Sequence, residues 1–206
     1  MPETTTATAS EALKQTPSQT VGPYFAYGLT AGQYGYPHTA IADSTLTDNE
    51  TEGERIRVEG IVYDGNGDPI NDAMIEIWQA DAEGRFNHPE DTRRPNAHFE
   101  GFGRCGTGTD PENRFWFDTV KPGAADVGEA PHINMIVFAR GMLVHAYTRV
   151  YFADEAEANA ADPVMQSVPQ ERRHTLVAER RETPTGTVYR FDIHMQGDDE
   201  TVFFDV

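Results

Sequence analysis

The chain has 206 residues, 34 of them acidic and 16 basic, which gives a formal net charge of −18. A chain this acidic is repelled by phosphate backbones and anionic lipid surfaces, which argues against nucleic acid and membrane partners. The one cysteine, Cys105, excludes an internal disulfide framework and a cysteine-rich metal site, and we interpret it as a small buried hydrophobe. The first residues lack a signal-peptide pattern and no apolar run reaches membrane-spanning length, so we expect a cytoplasmic protein.

The first quarter of the chain is polar and lacks regular alternation of apolar residues. Residues 1–15 are rich in Thr, Ala and Glu, and residues 16–25 contain two prolines and a glycine. Such a composition favours an extended, irregular conformation that lies on another surface. Residues 28–54 continue irregular and polar. We therefore predict an N-terminal arm and irregular segment over residues 1–54 and a single domain over residues 55–206.

That domain has the short apolar runs of β-strands, separated by turns that contain glycine and proline. Strands are predicted at or near residues 55–63, 74–78, 102–107, 114–117, 133–139, 143–152, 188–195 and 201–204. The turn signal over residues 64–69 predicts a hairpin in which the first two strands pair antiparallel. Residues 133–139 are apolar on both faces, which is typical of a central strand.

Two short helices are predicted between the strands. Residues 154–161 read as a helix with Asp154 as its N-cap, and residues 169–181 as a second that begins at a proline. Many short strands with few helices predict an all-β protein, an antiparallel β-sandwich or barrel. No internal repeat indicates a second domain.

Three segments carry a family resemblance through their order and spacing. They are residues 55–86, the block Gly103-Arg104-Cys105 followed by residues 116–123, and Ala130-Pro131-His132-Ile133-Asn134 ahead of an apolar strand. Together they resemble the intradiol ring-cleavage dioxygenases, over about residues 16–206. The resemblance implies a β-sandwich of that type and a relation to enzymes that use ferric iron and dioxygen to open a catechol ring.

The chain departs from the pattern at the positions that hold the metal. The family binds Fe(III) through two tyrosinates and two histidines, and hard phenolate oxygen suits that ion. The matching positions hold Phe86, Ala125, His132 and Asn134, and Glu129 stands where an arginine is expected. Phenylalanine and alanine cannot coordinate a metal. The resemblance therefore implies neither a metal ligand nor a catalytic residue in this chain.

This combination resembles the iron-free α-type subunit of the family's hetero-oligomeric members. The resemblance implies a β partner of the same fold that carries Fe(III), and a substrate that is a catechol bearing a carboxylate. It also implies substrate-binding contributions from Thr20, Gly22, Pro23, Tyr24 and Arg140. Glycine allows close backbone approach, tyrosine offers a ring and a hydroxyl, and arginine supplies a permanent cation for an anion.

The sequence also allows purely structural roles for the candidate residues and other functions for the chain. Arg140 also suits a surface ion pair, and Tyr24 suits interface packing. The chain could be a β-sandwich binding or structural module with a vestigial site. It could also be a metalloenzyme with rearranged ligands, and the candidates for those are His132, His145, Tyr147 and His194.

Overall fold

The computed structural model describes residues 16–94 and 96–206, and the expectation for residues 1–15 lies outside the described residues. Within these ranges the strands are β1 (Arg55–Tyr63), β2 (Met74–Trp78), β3 (Phe102–Gly106), β4 (Arg114–Val120), β5 (His132–Phe138), β6 (Ala146–Phe152), β7 (Val177–Thr183), β8 (Gly186–Arg190) and β9 (Ile193–His194). The α-helices are α1 (Pro23–Leu29), α2 (Ala156–Ala161) and α3 (Pro163–Ser167). Short 3-10 helices cover Ala31–Tyr34, Ala153–Glu155 and Gln170–Leu176.

The strands form one continuous sheet that folds over on itself. Their order is β3-β2-β5-β6-β7-β8-β1-β4, and β9 pairs with β1 outside this path. Strand β7 pairs with β6 on one side and with β8 on the other, so it joins the two facing layers. The predicted mostly-sheet, sandwich-like architecture is confirmed. It is not purely antiparallel, because β1–β8, β1–β9 and β6–β7 are parallel pairs.

The core lies between the two layers and follows from the alternation of side chains along each strand. Strand β1 alternates buried and partly exposed positions along most of its length. From one layer come residues such as Val58, Phe117 and Tyr189, and from the other Ile75 and Ile133, all without solvent exposure. Strand β5 lies between β2 and β6, which confirms the central position predicted for it.

The predicted hairpin of β1 with β2 is wrong. The turn itself forms, since the Gly67 amide donates to the Asp64 carbonyl. After it only Ile70 bonds back to β1, through the Val62 carbonyl, and a second turn then redirects the chain. Strand β1 pairs with β4, β8 and β9, whereas β2 pairs with β3 and β5. The turn thus carries the chain between the two layers.

The predicted helices are only partly correct. Residues 153–161 are helical, but the Asp154 carboxylate accepts hydrogen bonds from the Tyr189 hydroxyl and Lys121 and caps nothing. Residues 169–181 do not form one helix, because a 3-10 helix gives way to β7 at Val177. The predicted strand over residues 201–204 is a single bridge, between Phe204 and Tyr147.

The N-terminal segment is more ordered than the sequence indicates. Residues 23–29 form α1, where an extended chain was expected, and Leu46 is buried in the core. Residues 43–46 lie between the edge strands β3 and β4. The Arg104 amide donates to the Asp43 carbonyl, and the Asp118 amide donates to the Ser44 carbonyl. The division of the chain at residue 54 remains a prediction.

None of the helices within the described ranges is long and apolar enough to cross a membrane.

Candidate functional site

The arm meets the sheet where β5 ends. The Thr20 hydroxyl donates a 3.2 Å hydrogen bond to the carbonyl oxygen of Ala139. Ala139 follows the last residue of β5 and precedes Arg140. The bond therefore places Thr20 next to the backbone of the residue that precedes the arginine. The structure therefore brings two of the predicted substrate-binding residues, Thr20 and Arg140, to one end of the sheet.

Arg140 already has a partner within the chain. Its Nε lies 2.9 Å from Oδ2 of Asp72, and its side chain remains 65% exposed. The Asp72 side chain is only 11% exposed, and neither of its oxygens has an aligned hydrogen-bond donor among the described residues. The ion pair anticipated for Arg140 is therefore present. The exposed guanidinium still offers its charge to solvent or to a ligand.

Gly22, Pro23 and Tyr24 lie at the start of α1, which begins at Pro23. Proline suits a first helical turn because its missing amide would lack a partner there. A Cβ on Gly22 would meet nothing within 4 Å, so nothing in the described part of the chain requires a glycine. Tyr24 is 89% exposed. None of the residues in 16–94 and 96–206 closely approaches the position of a Cβ on Gly22.

Exposed apolar side chains flank this end of the sheet. Phe25 follows Tyr24 in α1, and Leu143 and Val144 follow Arg140 in the loop before β6. Each of the four is more than half exposed. Neighbouring exposed apolar side chains of this kind typify surfaces that bind another protein.

The positions that match the family's tyrosine ligands lie together on a second surface. Phe86 stacks on Trp78 with ring centroids 5.8 Å apart. The loop that carries it packs against residues 123–125, because a Cβ on Gly84 would stand 2.0 Å from the Ala124 carbonyl oxygen. Phe86, Ala125 and Glu129 line one open cavity of about 560 Å³. Aromatic stacking thus occupies the place where a phenolate would coordinate.

The two histidine positions do not complete a metal site. His132 is buried, and its Nδ1 lies 2.9 Å from the Ala130 carbonyl oxygen. Burial lowers the pKa of His132, so its neutral form is favoured. Asn134 supplies only a neutral amide. The residues present therefore do not fit ferric iron, and the described residues contain no group of three or more His, Cys, Asp or Glu placed to hold a metal ion.

The candidates for a rearranged metal site have other partners. Nε2 of His145 lies 2.6 Å from the Tyr147 hydroxyl, and the His145 ring packs on Phe138. His194 stacks on Tyr63, with ring centroids 5.0 Å apart.

Sequence reasoning missed three charged residues around these surfaces. Asp72 pairs with Arg140, Asp162 is fully buried in a hydrogen-bond network, and Arg149 lines a cavity on the outer face of the sheet. For Asp162 a signal was available, because Asp162-Pro163 is a helix N-cap followed by proline at the first helical position. The pairing of Asp72 with Arg140 and the position of Arg149 in the cavity depend on contacts between distant segments, which the local sequence does not indicate.

Comparisons with known proteins agree with the fold described above. The family profile described as "Dioxygenase" matches residues 22–197. A solved catechol 1,2-dioxygenase from Pseudomonas arvilla C-1 superposes with a TM-score of 0.56 at 18% identity, covering 80% of this chain and 62% of that one, which supports the fold. The chain belongs to the intradiol ring-cleavage dioxygenase family.

Within that family it is 56% identical to the protocatechuate 3,4-dioxygenase alpha chain of Burkholderia cepacia, over 94% of this chain and 98% of that one. It is 35% identical to the beta chain of the enzyme from the same organism, over 82% of this chain and 77% of that one. The resemblance drawn from the sequence motifs is confirmed.

Proposed function

We propose that this chain is the iron-free α subunit of a protocatechuate 3,4-dioxygenase. It completes the active-site pocket of a β subunit that carries Fe(III) and cleaves protocatechuate with O₂ to 3-carboxy-cis,cis-muconate. The observation that carries the proposal is the similarity to an alpha chain over nearly the whole length of both proteins. The unsuitable donor set at Phe86, Ala125 and Asn134 supports it, because a subunit that leaves iron to its partner needs no ligands.

The substrate contacts are proposed at the end of the sheet where the arm lies. Protocatechuate carries a carboxylate, and the exposed guanidinium of Arg140 can form charge-assisted hydrogen bonds to it. Thr20, Gly22, Pro23 and Tyr24 would form a wall of the same pocket. A wall contributed by a second chain excludes water and shapes the pocket without supplying the chemistry.

The β subunit is the proposed partner, in a hetero-oligomer of αβ units. The exposed side chains of Tyr24, Phe25, Leu143 and Val144 support an interface beside Arg140. Burying an exposed apolar side chain contributes about 1.5–3 kcal/mol, so four such side chains are a substantial reason to associate. We propose a cytoplasmic location for the assembly.

The test is co-expression of this chain with a β-type chain, with this chain alone as the control. The purified material is assayed for iron and for oxygen uptake with protocatechuate. We expect both only in the co-purified pair. Iron and oxygen uptake in this chain alone, with a tyrosinate-to-Fe(III) charge-transfer band, would refute the proposal. A stable pair without any gain in activity would favour a binding or structural module instead.

A further inference from the structure

The ion pair of Arg140 with Asp72 follows from strand register. Strands β2 and β5 pair antiparallel, with Met74 opposite Phe138. The same register, continued past the ends of both strands, sets Asp72 opposite Arg140. Directly opposed residues of an antiparallel pair have their side chains on one face. The 2.9 Å distance between Arg140 Nε and Asp72 Oδ2 agrees with this placement, so Asp72 is a cross-strand neighbour of Arg140.

The segment that carries Asp72 is held in place by Thr107, a fully buried residue that follows β3. The Thr107 amide donates a 3.0 Å hydrogen bond to the Ala73 carbonyl, and its Oγ1 accepts a 3.1 Å hydrogen bond from the Ala73 amide. The same hydroxyl donates a 2.7 Å hydrogen bond to the Ile70 carbonyl. The chain is therefore anchored on both sides of Asp72, which fixes the position of its carboxylate.

The two partners differ in burial, and this difference indicates which of them positions the other. Both side-chain oxygens of Asp72 are shielded from solvent, and neither accepts an aligned hydrogen bond from residues 16–94 or 96–206. A buried carboxylate without such bonds costs free energy, and a purely structural role does not explain that cost. The Arg140 side chain is 65% exposed and has no other ionic partner in those ranges. An anchored, buried group beside an exposed, flexible one is the arrangement by which a supporting residue orients a binding residue.

We propose that Asp72 is a positioning residue for Arg140, which holds the guanidinium at its Nε and leaves the two Nη groups to bind the substrate carboxylate. The inference rests on the proposed function of Arg140. Fixing an arginine side chain before the ligand arrives removes part of the entropic cost of binding. Asp72 also repels an anionic substrate, but the guanidinium stands between the two carboxylates, and the longer distance weakens the repulsion. The net effect of Asp72 is tighter binding of the substrate.

The isolated chain tests the positioning itself, without iron or a β subunit. An isotope-labelled chain gives an NMR signal from the side-chain Nε–H of Arg140, which Arg140→Ala assigns by removing it. We expect restricted motion of this group in the unaltered chain and free motion in Asp72→Asn, which keeps the size of the side chain and removes its charge. Asp72→Glu should restore part of the restriction. Equal motion in the unaltered chain and a folded Asp72→Asn variant would overturn the proposal.

The assembled αβ pair tests the consequence for the substrate. Without oxygen, the absorbance of the ferric site reports the dissociation constants of protocatechuate and of 3,4-dihydroxybenzamide, which has the same ring and no carboxylate. Asp72→Asn should weaken protocatechuate binding about tenfold, because an arginine side chain has considerable rotamer entropy to lose. The affinity for the amide should stay unchanged. Equal loss for both ligands would indicate a general structural effect and would also overturn the proposal.

The matched control is Asp118→Asn. Asp118 lies opposite Arg57 in the β1–β4 pair and accepts a 2.7 Å hydrogen bond from its Nε, so the two form another cross-strand ion pair. Loss of that pair should change neither the motion of Arg140 nor the affinity for protocatechuate. Circular dichroism verifies that each variant is folded.

A double substitution separates this inference from the proposed function. In the Arg140→Ala background, Asp72→Asn should have no further effect on protocatechuate binding, because Asp72 acts through the arginine. If Arg140→Ala alone leaves that affinity unchanged, the substrate role of Arg140 fails and the role of Asp72 fails with it. If Arg140→Ala weakens binding and a folded Asp72→Asn variant does not, the role of Asp72 alone is refuted.

Discussion

Replacing Asp162 with alanine should destabilise the fold by more than the loss of a helix N-cap alone. The residue has no solvent exposure. Its Oδ1 accepts hydrogen bonds from the Val164 and Met165 amides and from the Tyr151 hydroxyl, and its Oδ2 accepts one from the Ala130 amide at 2.9 Å. One carboxylate thus fixes the start of α3, a tyrosine of β6 and the segment that leads into β5.

The magnitude follows from counting the groups left without a partner. Loss of an N-cap costs about 1 kcal/mol. The donors on Ala130 and Tyr151 are both buried, and each unsatisfied buried donor costs about 2 kcal/mol. The sum is about 5 kcal/mol, which corresponds to a fall in Tm of roughly 10–20 °C for a protein of this size.

The assay compares thermal and urea unfolding of the unaltered chain, Asp162→Ala and Asp126→Ala. Asp126 is the matched control because it is exposed and its carboxylate accepts one local hydrogen bond, from the Val127 amide. The control should lose less than about 1 kcal/mol, as surface substitutions usually do. If Asp162→Ala loses no more than Asp126→Ala, the network does not contribute as reasoned.

The stability contributed by Asp162 should also depend on pH. Burial opposes its ionisation, but the hydrogen bonds from Met165, Ala130, Tyr151 and Val164 outweigh burial and lower the pKa of Asp162 below its ordinary value. A lowered folded-state pKa gives stability that is fully present above the unfolded pKa, about 3.9, and that is lost as pH falls through the folded value. The free-energy difference between the unaltered chain and Asp162→Asn should therefore narrow below about pH 4. An unchanged difference at lower pH would contradict this.

Further outcomes are expected elsewhere in the chain. Arg140→Ala should leave assembly with a β subunit intact but raise KM or lower turnover for protocatechuate, and unchanged kinetics would remove Arg140 from the site. Deletion of residues 1–25 should weaken the αβ pair, as measured by its dissociation on dilution. Burial raises the pKa of the Cys105 thiol to about 11, so a thiol reagent at about pH 8 should label it only after denaturation. Gly60→Ala would place a Cβ 1.7 Å from the Phe191 carbonyl oxygen and should cost at least about 2 kcal/mol in urea unfolding, whereas Gly32→Ala has open space and should cost little.

Strands whose position in the sheet is reflected in their own pattern of apolar residues were predicted well. Residues 133–139 carry apolar side chains on both faces, and β5 lies in the middle of its layer. Residues 177–183 are largely polar and exposed, which resembles a solvated helix face, yet they form β7. Only pairing with β6 and β8 makes them a strand, and such long-range pairing overrides local propensity.

At the candidate site, too, features that depend on residue type were predictable, and features that depend on long-range contacts were not. The replacement of metal ligands by Phe86 and Ala125 was visible because the family resemblance marks the ligand positions and neither residue type can coordinate a metal. The pairing of Asp72 with Arg140 was not, because it joins segments that are distant along the chain. The contact of Thr20 with β5 likewise required the folded backbone.

The segment over residues 43–46 ties together the two edge strands of the sheet. Its backbone spans the gap between β3 and β4, although it precedes both strands in the chain. Because the segment bonds to both strands, its native position exists only once β3 and β4 are both in place. The segment also belongs to the same N-terminal region, residues 1–54, as the arm. A partner that binds the arm would therefore also favour the docked position of residues 43–46, and assembly would suppress local opening of the sheet between β3 and β4.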